Sequence, residues 1–525
     1  MKHYKSGRKL NEAMLNGVNK LADAVGATLG PRGRNVILKG HNQRPLITKD
    51  GVTVARFVQF QDLFEDLGAQ VIKQASEVTN TMAGDGTTTA TLFARAILSR
   101  AQTHLASGTS PVEIKKGIDL AVEAIIQELE TQSRPVSTKE EIEQVATISA
   151  NGDKGVGKLI ANAVDQVGKG GAITIQEAKS NETSLELTEG FQFDSGLLAN
   201  AFITDERRGL MKHEDCLILV TDRNITTIDD ILPALEIAAR DGRPFILIAE
   251  DISGQALAAM IMNSMKGSMK VAGIKAPRYG EERRNILADL SISTGATFIS
   301  RESGVHLKSI KLEHFGTCRT IEADKQTTIV VGGNQDDEKV EERIELLKAN
   351  IQEESSLNVC EKIQERITRL ASAIAIIKVG GVTEIEMMEK KHRVEDALEA
   401  VHSAQQEGII PGGSSSLLRV AKRIEIETES HEQQVGVEIV KQAISEPFRQ
   451  MVSNAGMSPD IYLEKVENHT NPESGLDVTS GEIVNMFTYG IIDPFKVTRC
   501  ALQNAASAAS TLLTTDVGIV EEKPS

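Results

Sequence analysis

The chain has 525 residues, with 58 Lys and Arg against 74 Asp and Glu, a formal net charge of −16. Its length predicts roughly three domains of ordinary size, and its interspersed charges form no basic stripe for nucleic acid or anionic lipid. Trp is absent and aromatic residues make up 3%, which argues against stacked bases and aromatic cages.

No apolar segment follows the basic start Met1–Lys9, and no apolar run is long enough to span a bilayer, so a cytosolic (cytoplasmic) protein is expected. Cys216, Cys318, Cys360 and Cys500 stand far apart, with no CxxC and no nearby His pair. They read as reduced core thiols rather than as a zinc site or a disulfide framework.

From about residue 10 to 130 the pattern is helical. Leu10, Met14, Val18, Leu21 and Val25 mark the first helix, and Leu92–Leu105 and Glu113–Leu129 mark later ones. After the first helix comes the turn Thr28-Leu29-Gly30-Pro31-Arg32-Gly33, then a strand-like run, Asn35–Leu38. Lys49-Asp50-Gly51 lies between Ile47-Thr48 and Val52-Thr53-Val54, a hairpin signal.

Gly84-Asp85-Gly86-Thr87-Thr88-Thr89-Ala90-Thr91 places a carboxylate and a hydroxyl run on a glycine-hinged turn that opens a helix, Thr87–Arg100. Glycines at positive φ let successive amides converge on an anion, and Asp85 can hold a metal against it. An N-capped helix accounts for the same residues equally well. The upstream Gly/Pro turn adds a second wall and suggests a phosphate cradle.

Gly152-Asp153-Lys154-Gly155-Val156-Gly157-Lys158 matches GxxxxGK, but Leu159 follows where a P-loop needs Ser or Thr, and no buried strand precedes it. It reads as a helix-initiating loop. Downstream the pattern turns α/β, with strands expected at Ala172–Ile175, Cys216–Val220, Phe245–Ala249, Val271–Ile274, Thr297–Ser300 and Thr328–Val331. Ser253 is expected to cap a helix that is apolar nearly all round through Met262, and Ile231–Leu235 offers a similar stripe. Core packing is the ordinary explanation, and a Met-rich binding surface is the alternative.

A charged helix pair is expected from about Asp337 to Leu370, then a helix from Glu384 to Gln406 carrying Asp396, which on pattern alone is a solvated carboxylate. Gly412-Gly413 marks either a ligand-approach turn or a simple helix start. The region from about 415 to 513 is helical again, and Asp493-Pro494 is expected to cap a helix Pro494–Leu513. The two ends therefore read as one helical body into which an α/β module is inserted.

Ala27–Val36, Thr48–Val52, Gly84–Thr91, Thr147–Asn151, Arg393–Leu398 and Asp493–Arg499, in this order over essentially the whole chain, resemble the group I chaperonins of bacterial GroEL type. The resemblance implies an α/β multidomain ring subunit. Residues 1–131 and 407–525 would form a mainly helical equatorial ATPase domain, 132–188 and 375–406 a small hinge domain, and 189–374 an α/β apical domain.

It further implies that ATP is bound by Thr28, Leu29, Gly30, Pro31, Lys49, Asp85, Gly86, Thr87, Thr88, Thr89, Gly413, Asp477, Val478, Thr479 and Asp493. Mg2+ would sit on Asp85, K+ would be an accompanying cation, and Asp396 and Asp50 would be the catalytic carboxylates. Leu197, Phe202, Leu232, Leu235, Leu257, Ile261 and Met262 would bind non-native polypeptides and then a co-chaperonin lid. The assembly implied is a heptameric ring of identical subunits, single or double, with no nucleic-acid or membrane partner.

This chain departs from the family at Leu197 and Ala201, which replace tyrosines, and at Ser403 and Ser414 near the paired glycines. Ser458 replaces an acidic residue of the contact between stacked rings, so Arg449 is expected to lack its partner in that contact, and whether two rings stack stays open. The leading expectation is an ATP-driven folding machine. A holdase or scaffold with a vestigial ATPase and an ATP-dependent metabolic transferase are the competing ones.

Overall fold

The computed structural model describes residues 2–40, 45–168, 171–178, 180–333, 337–353, 357–371 and 373–521. The chain divides into two compact units: Met1–Asn162 with Glu177–Thr183 and Val379–Ser525, and Ala163–Gln176 with Ser184–Lys378.

The first unit joins the two ends of the sequence. Its core is made by helices Gly7–Gly26, Leu63–Ala83, Thr87–Ala106, Pro111–Gln132, His431–Ala443 and Phe495–Leu513, whose apolar positions recur at helical spacing and are buried together. Close crossings are set by glycine. A Cβ at Gly117 would lie 1.9 Å from the Gln433 carbonyl oxygen, and one at Gly436 would lie 2.2 Å from that of Ile114.

Among the described residues, four two-stranded antiparallel sheets trim this unit: Lys2–Ser6 with Val517–Glu521, Val36–Leu38 with Leu46–Thr48, Ile409–Pro411 with Ile492–Pro494, and Ser474–Asp477 with Glu482–Asn485. The expected hairpin at Lys49–Gly51 does not form. Val52-Thr53-Val54 belongs to the helix Gly51–Phe57, because Asp50 caps it and Val52 and Val54 are buried in it. Within the chain, Arg449 Nη1 lies 2.6 Å from Asp460 Oδ1.

The segment 132–188 is divided, with 132–162 and 177–183 in the first unit and the remainder in the second. Residues 379–406 also lie in the first unit.

The second unit is built on a nine-stranded mixed sheet among the described residues. Its strand order is Val271–Lys275, Phe245–Ala249, Met211–Thr221, Gly316–Ala323, Thr328–Gly333, Ser184–Phe193, Ala373–Val379 and Ile173–Glu177, with Phe298–Ile299 added beside Met211–Thr221. The first three are parallel, and Phe245–Ala249 is wholly buried, as its unbroken apolar run predicts. Ser184–Phe193, Gly316–Ala323 and Ala373–Val379 were not expected as strands.

The helix pair Asp337–Glu353 and Leu357–Ala371 is anchored by the buried Asp289. This carboxylate accepts from Arg343 Nε at 2.9 Å and from Arg366 Nε at 2.7 Å and Nη2 at 2.9 Å.

Candidate functional site

A cavity of about 380 Å³ opens in the first unit. Its lining comes from widely separated parts of the chain, each shaped by local backbone chemistry.

The Thr28–Pro31 wall follows the helix Gly7–Gly26. Thr28 Oγ1 donates to the Val25 carbonyl at 2.8 Å, and Gly30, at φ 79°, turns the chain so that the Gly33 amide reaches the Gly30 carbonyl at 3.0 Å. Asn454 Nδ2 braces this turn by donating to the Gly26 and Leu29 carbonyls, both at 3.0 Å.

The Gly84–Thr89 wall joins two helices. Gly84 (φ 70°) ends Leu63–Ala83, and Gly86 (φ 90°) begins Thr87–Ala106 without any side-chain cap, which leaves the amides at the helix start for an anion. Thr87 Oγ1 is buried with no hydrogen-bond partner among the described residues, an orphan that a phosphate or hydrated cation would satisfy. Asp85 accepts from the Gly86 amide at 2.5 Å and from Ser149 Oγ at 3.3 Å. Burial, with the nearby Asp50 charge, nevertheless pushes its pKa up, so a cation is what its ionised form lacks.

Asp50 accepts from the amides of Val52 at 3.0 Å and Thr53 at 3.1 Å, capping Gly51–Phe57. Beside it, burial and then the Arg393 charge lower the pKa of Lys49, against the opposing pull of Glu389.

The opposite wall holds Gly413 (φ 59°) and Ser414 (φ 62°), both in the left-handed region. Asp493 accepts from both their amides. Burial, assisted by the charge on Asp85, raises its pKa to about 6, and the two amide bonds oppose the rise. The expectation that Asp493-Pro494 caps the last helix is corrected: the helix is Phe495–Leu513, it has no side-chain cap, and Asp493 is turned to the glycine turn instead.

Asp477 fixes the third wall, accepting from the Thr479 amide at 2.8 Å and from Ser480 Oγ at 2.7 Å. Leu476, Ile491, Met451 and Pro447 make that end apolar.

Asp396, on the helix Glu384–Glu407, also lines the cavity, as do Lys49, Asp50, Val478 and every residue expected to contact ATP. Ser149, Asn151, Met451 and Ile491 line it too, although sequence reasoning gave them no role. Ser149 and Asn151 stand in the quoted run Thr147–Asn151, where a hydroxyl beside a left-handed Asn was the available signal. The GxxxxGK match is a helix start, as expected. Asp153 Oδ1 accepts from the amides of Gly155 at 2.9 Å and Val156 at 3.2 Å, and of the matching run only Gly152 reaches the cavity wall.

In the second unit, Leu232 is 44% exposed and Met262 is 51% exposed. Leu197, Leu257 and Ile261 are partly buried against the core of that unit. Phe202 and Leu235 differ from the rest of this set in their burial. They are buried in that core, where the large ring and the inward position on Ile228–Asp241 place them, and they offer no binding surface in this structure. Ser253 precedes the helix Gly254–Met265 but makes no side-chain cap bond.

A split helical unit with a phosphate-type cavity and an α/β unit between its halves defines a multidomain chaperonin-type subunit. The chain matches the model of the TCP-1/cpn60 chaperonin family over residues 21–524 and belongs to that family, as a divergent member of group I type. It is also similar in fold to the chaperonin gp146 from bacteriophage EL 2 (Pseudomonas aeruginosa), solved in the presence of ATP-BeFx. The two are 24% identical, the match covers 99% of each chain, and the TM-score is 0.65. Family membership makes the protein a molecular chaperone. Among the described residues no helix is long and apolar enough to cross a membrane.

Proposed function

We propose that the protein is an ATP-dependent chaperone that captures non-native polypeptides on apolar surface and folds them within a ring, driven by ATP binding and hydrolysis. The observation that carries this reading is the single cavity into which Thr28–Pro31, Lys49, Asp85–Thr89, Asp396, Gly413, Asp477–Thr479 and Asp493 all converge.

In this reading the apolar end beside Ile491 and Leu476 takes the adenine, and Asp493 orders the glycine turn against the sugar. The amides and hydroxyls of Gly86–Thr89 bind the phosphates at the uncapped helix start, with the Lys49 ammonium beside them. Bound Mg2+ would supply charge neutralisation on the phosphate oxygens, and Asp85 is the residue that would hold it. A single protein carboxylate is ordinary for Mg2+, which retains water and phosphate oxygens. Asp396 accepts a proton from the attacking water as the water oxygen bonds to the γ-phosphorus and the bond to the ADP oxygen breaks. Asp50 keeps its helix start fixed and adds negative charge that favours a bound cation.

The three-part division, with 1–131 and 407–525 as ATPase domain, 132–188 and 375–406 as hinge and 189–374 as apical domain, belongs to the same proposal. So do the heptameric ring, the lid and K+. Leu232 and Met262, with Leu257 and Ile261 behind them, are the surface proposed for polypeptide capture.

The deciding experiment is Asp396→Ala in the assembled protein. It should retain ATP binding and lose turnover by roughly 100-fold or more. Normal turnover would remove Asp396 from the mechanism, and ATP-independent refolding by the wild type would favour a holdase.

A further inference from the structure

Asp396, Ala400 and Ser403 follow one another at helical spacing on Glu384–Glu407, so they share a face. Asp396 and Ala400 line the cavity. One residue before Ala400, Glu399 presses so closely on the Gly84 backbone that a Cβ at Gly84 would fall 2.0 Å from the Glu399 Cβ. Further along, Ser403 Oγ donates to the Ala83 carbonyl at 2.8 Å. Ser403 is 3% exposed and Ala83 is 2% exposed.

Ala83 is the last residue of Leu63–Ala83, so its carbonyl is one of those a helix end leaves without an intrahelical partner. Two residues later comes Asp85.

We propose that Ser403 is a positioning residue for ATP hydrolysis, whose hydroxyl seats the Asp396 helix on the Ala83–Asp85 turn so that Asp396 and Asp85 face one cavity together. The inference rests on the ATPase reading above. Seven residues of helix separate Asp396 from Ser403, about 10 Å along the axis, a rigid lever between bond and carboxylate.

The turn has an independent brace, since Asn504 Nδ2 donates to Thr79 Oγ1 at 2.9 Å one helical turn earlier. Removing the Ser403 hydroxyl therefore leaves the phosphate wall held and loosens the Asp396 helix at this contact alone, while Arg499 Nε and Ser133 Oγ still hold Glu407 at its C-terminal end, at 2.9 and 2.7 Å. With that helix seated, the Ala83 carbonyl would then be buried and unpaired, whereas with the helix displaced it would meet water.

The test uses the full-length assembled protein with Mg-ATP, comparing wild type, Ser403→Ala, Ser403→Cys, Asp396→Ala and the Asp396→Ala/Ser403→Ala double variant. Ser403→Ala should lower kcat roughly three- to tenfold while nucleotide affinity stays within about twofold, with Ser403→Cys in between. The double variant should turn over no more slowly than Asp396→Ala, because Ser403 acts through Asp396. An unchanged kcat, a parallel fall in affinity, or a full additional loss in the double variant would each overturn the positioning role. A wild type that binds but never hydrolyses ATP would instead overturn the ATPase reading, and this inference with it.

Discussion

Asp85 and Asp493 are two carboxylates set into one cavity, and the charge on Asp85 adds to burial in raising the Asp493 pKa to about 6. The two reach the cavity from opposite ends of the sequence. Burial is the main cause of the upward shift of both, opposed by the Gly86 amide at Asp85 and by the Gly413 and Ser414 amides at Asp493.

A pH dependence follows from Asp493. Its folded value lies above the ordinary 3.8, so the folded chain holds this proton more tightly than the unfolded one. The stability it contributes is present at pH below the ordinary value and is lost as pH rises toward about 6. Nucleotide affinity should run the other way, weakening as pH falls through about 6, because protonation loosens the Gly413 and Ser414 amides. Melting and ATP titrations from pH 4.5 to 8 check both trends, and Asp493→Asn should flatten them.

Asp85→Asn removes a charge that burial disfavours. Without ligand the variant should melt no lower than the wild type. Its affinity for ATP in the presence of Mg2+ should fall by at least about tenfold. Calorimetry with and without Mg2+ separates the two effects, and an undiminished Mg2+ response would exclude Asp85 as the ligand.

Gly117→Ala tests the helical core. The new Cβ would meet the Gln433 carbonyl oxygen at 1.9 Å, a backbone atom that cannot swing away. A loss of about 3 kcal/mol is expected, read as a melting point lower by several degrees. Gly152→Ala, at φ 87° with nothing within 4 Å, should lose only about 1 kcal/mol.

Leu232→Ser with Met262→Ser should reduce capture of a denatured polypeptide severalfold and leave ATP turnover unchanged, since both side chains are on the surface of the α/β unit. Phe202→Ala should instead cost about 3 to 5 kcal/mol of stability, because its ring is buried. Light scattering of an aggregating client and thermal melting distinguish the two classes.

The sequence by itself determined the helical ends, the inserted α/β region and the two glycine turns, Thr28–Gly33 and Gly84–Thr91, that wall the cavity, while Asp396, Asp477–Thr479 and Asp493 were joined to them only by the family resemblance. The former rest on local signals: 3.6-residue apolar periodicity, unbroken apolar strands, and glycines where the backbone needs positive φ, as at Gly30, Gly84 and Gly86. Tertiary structure decided the rest. Val52–Val54 had strand-forming residues and became helix because Asp50 capped it and the core covered it. Asp493 looked like a cap until packing turned it to Gly413. Phe202 and Leu235 had the composition of a binding surface, but apolar residues look alike in sequence whether a neighbouring element covers them or not. The Ser403 bond to Ala83 spans 320 positions, and no local pattern could announce it.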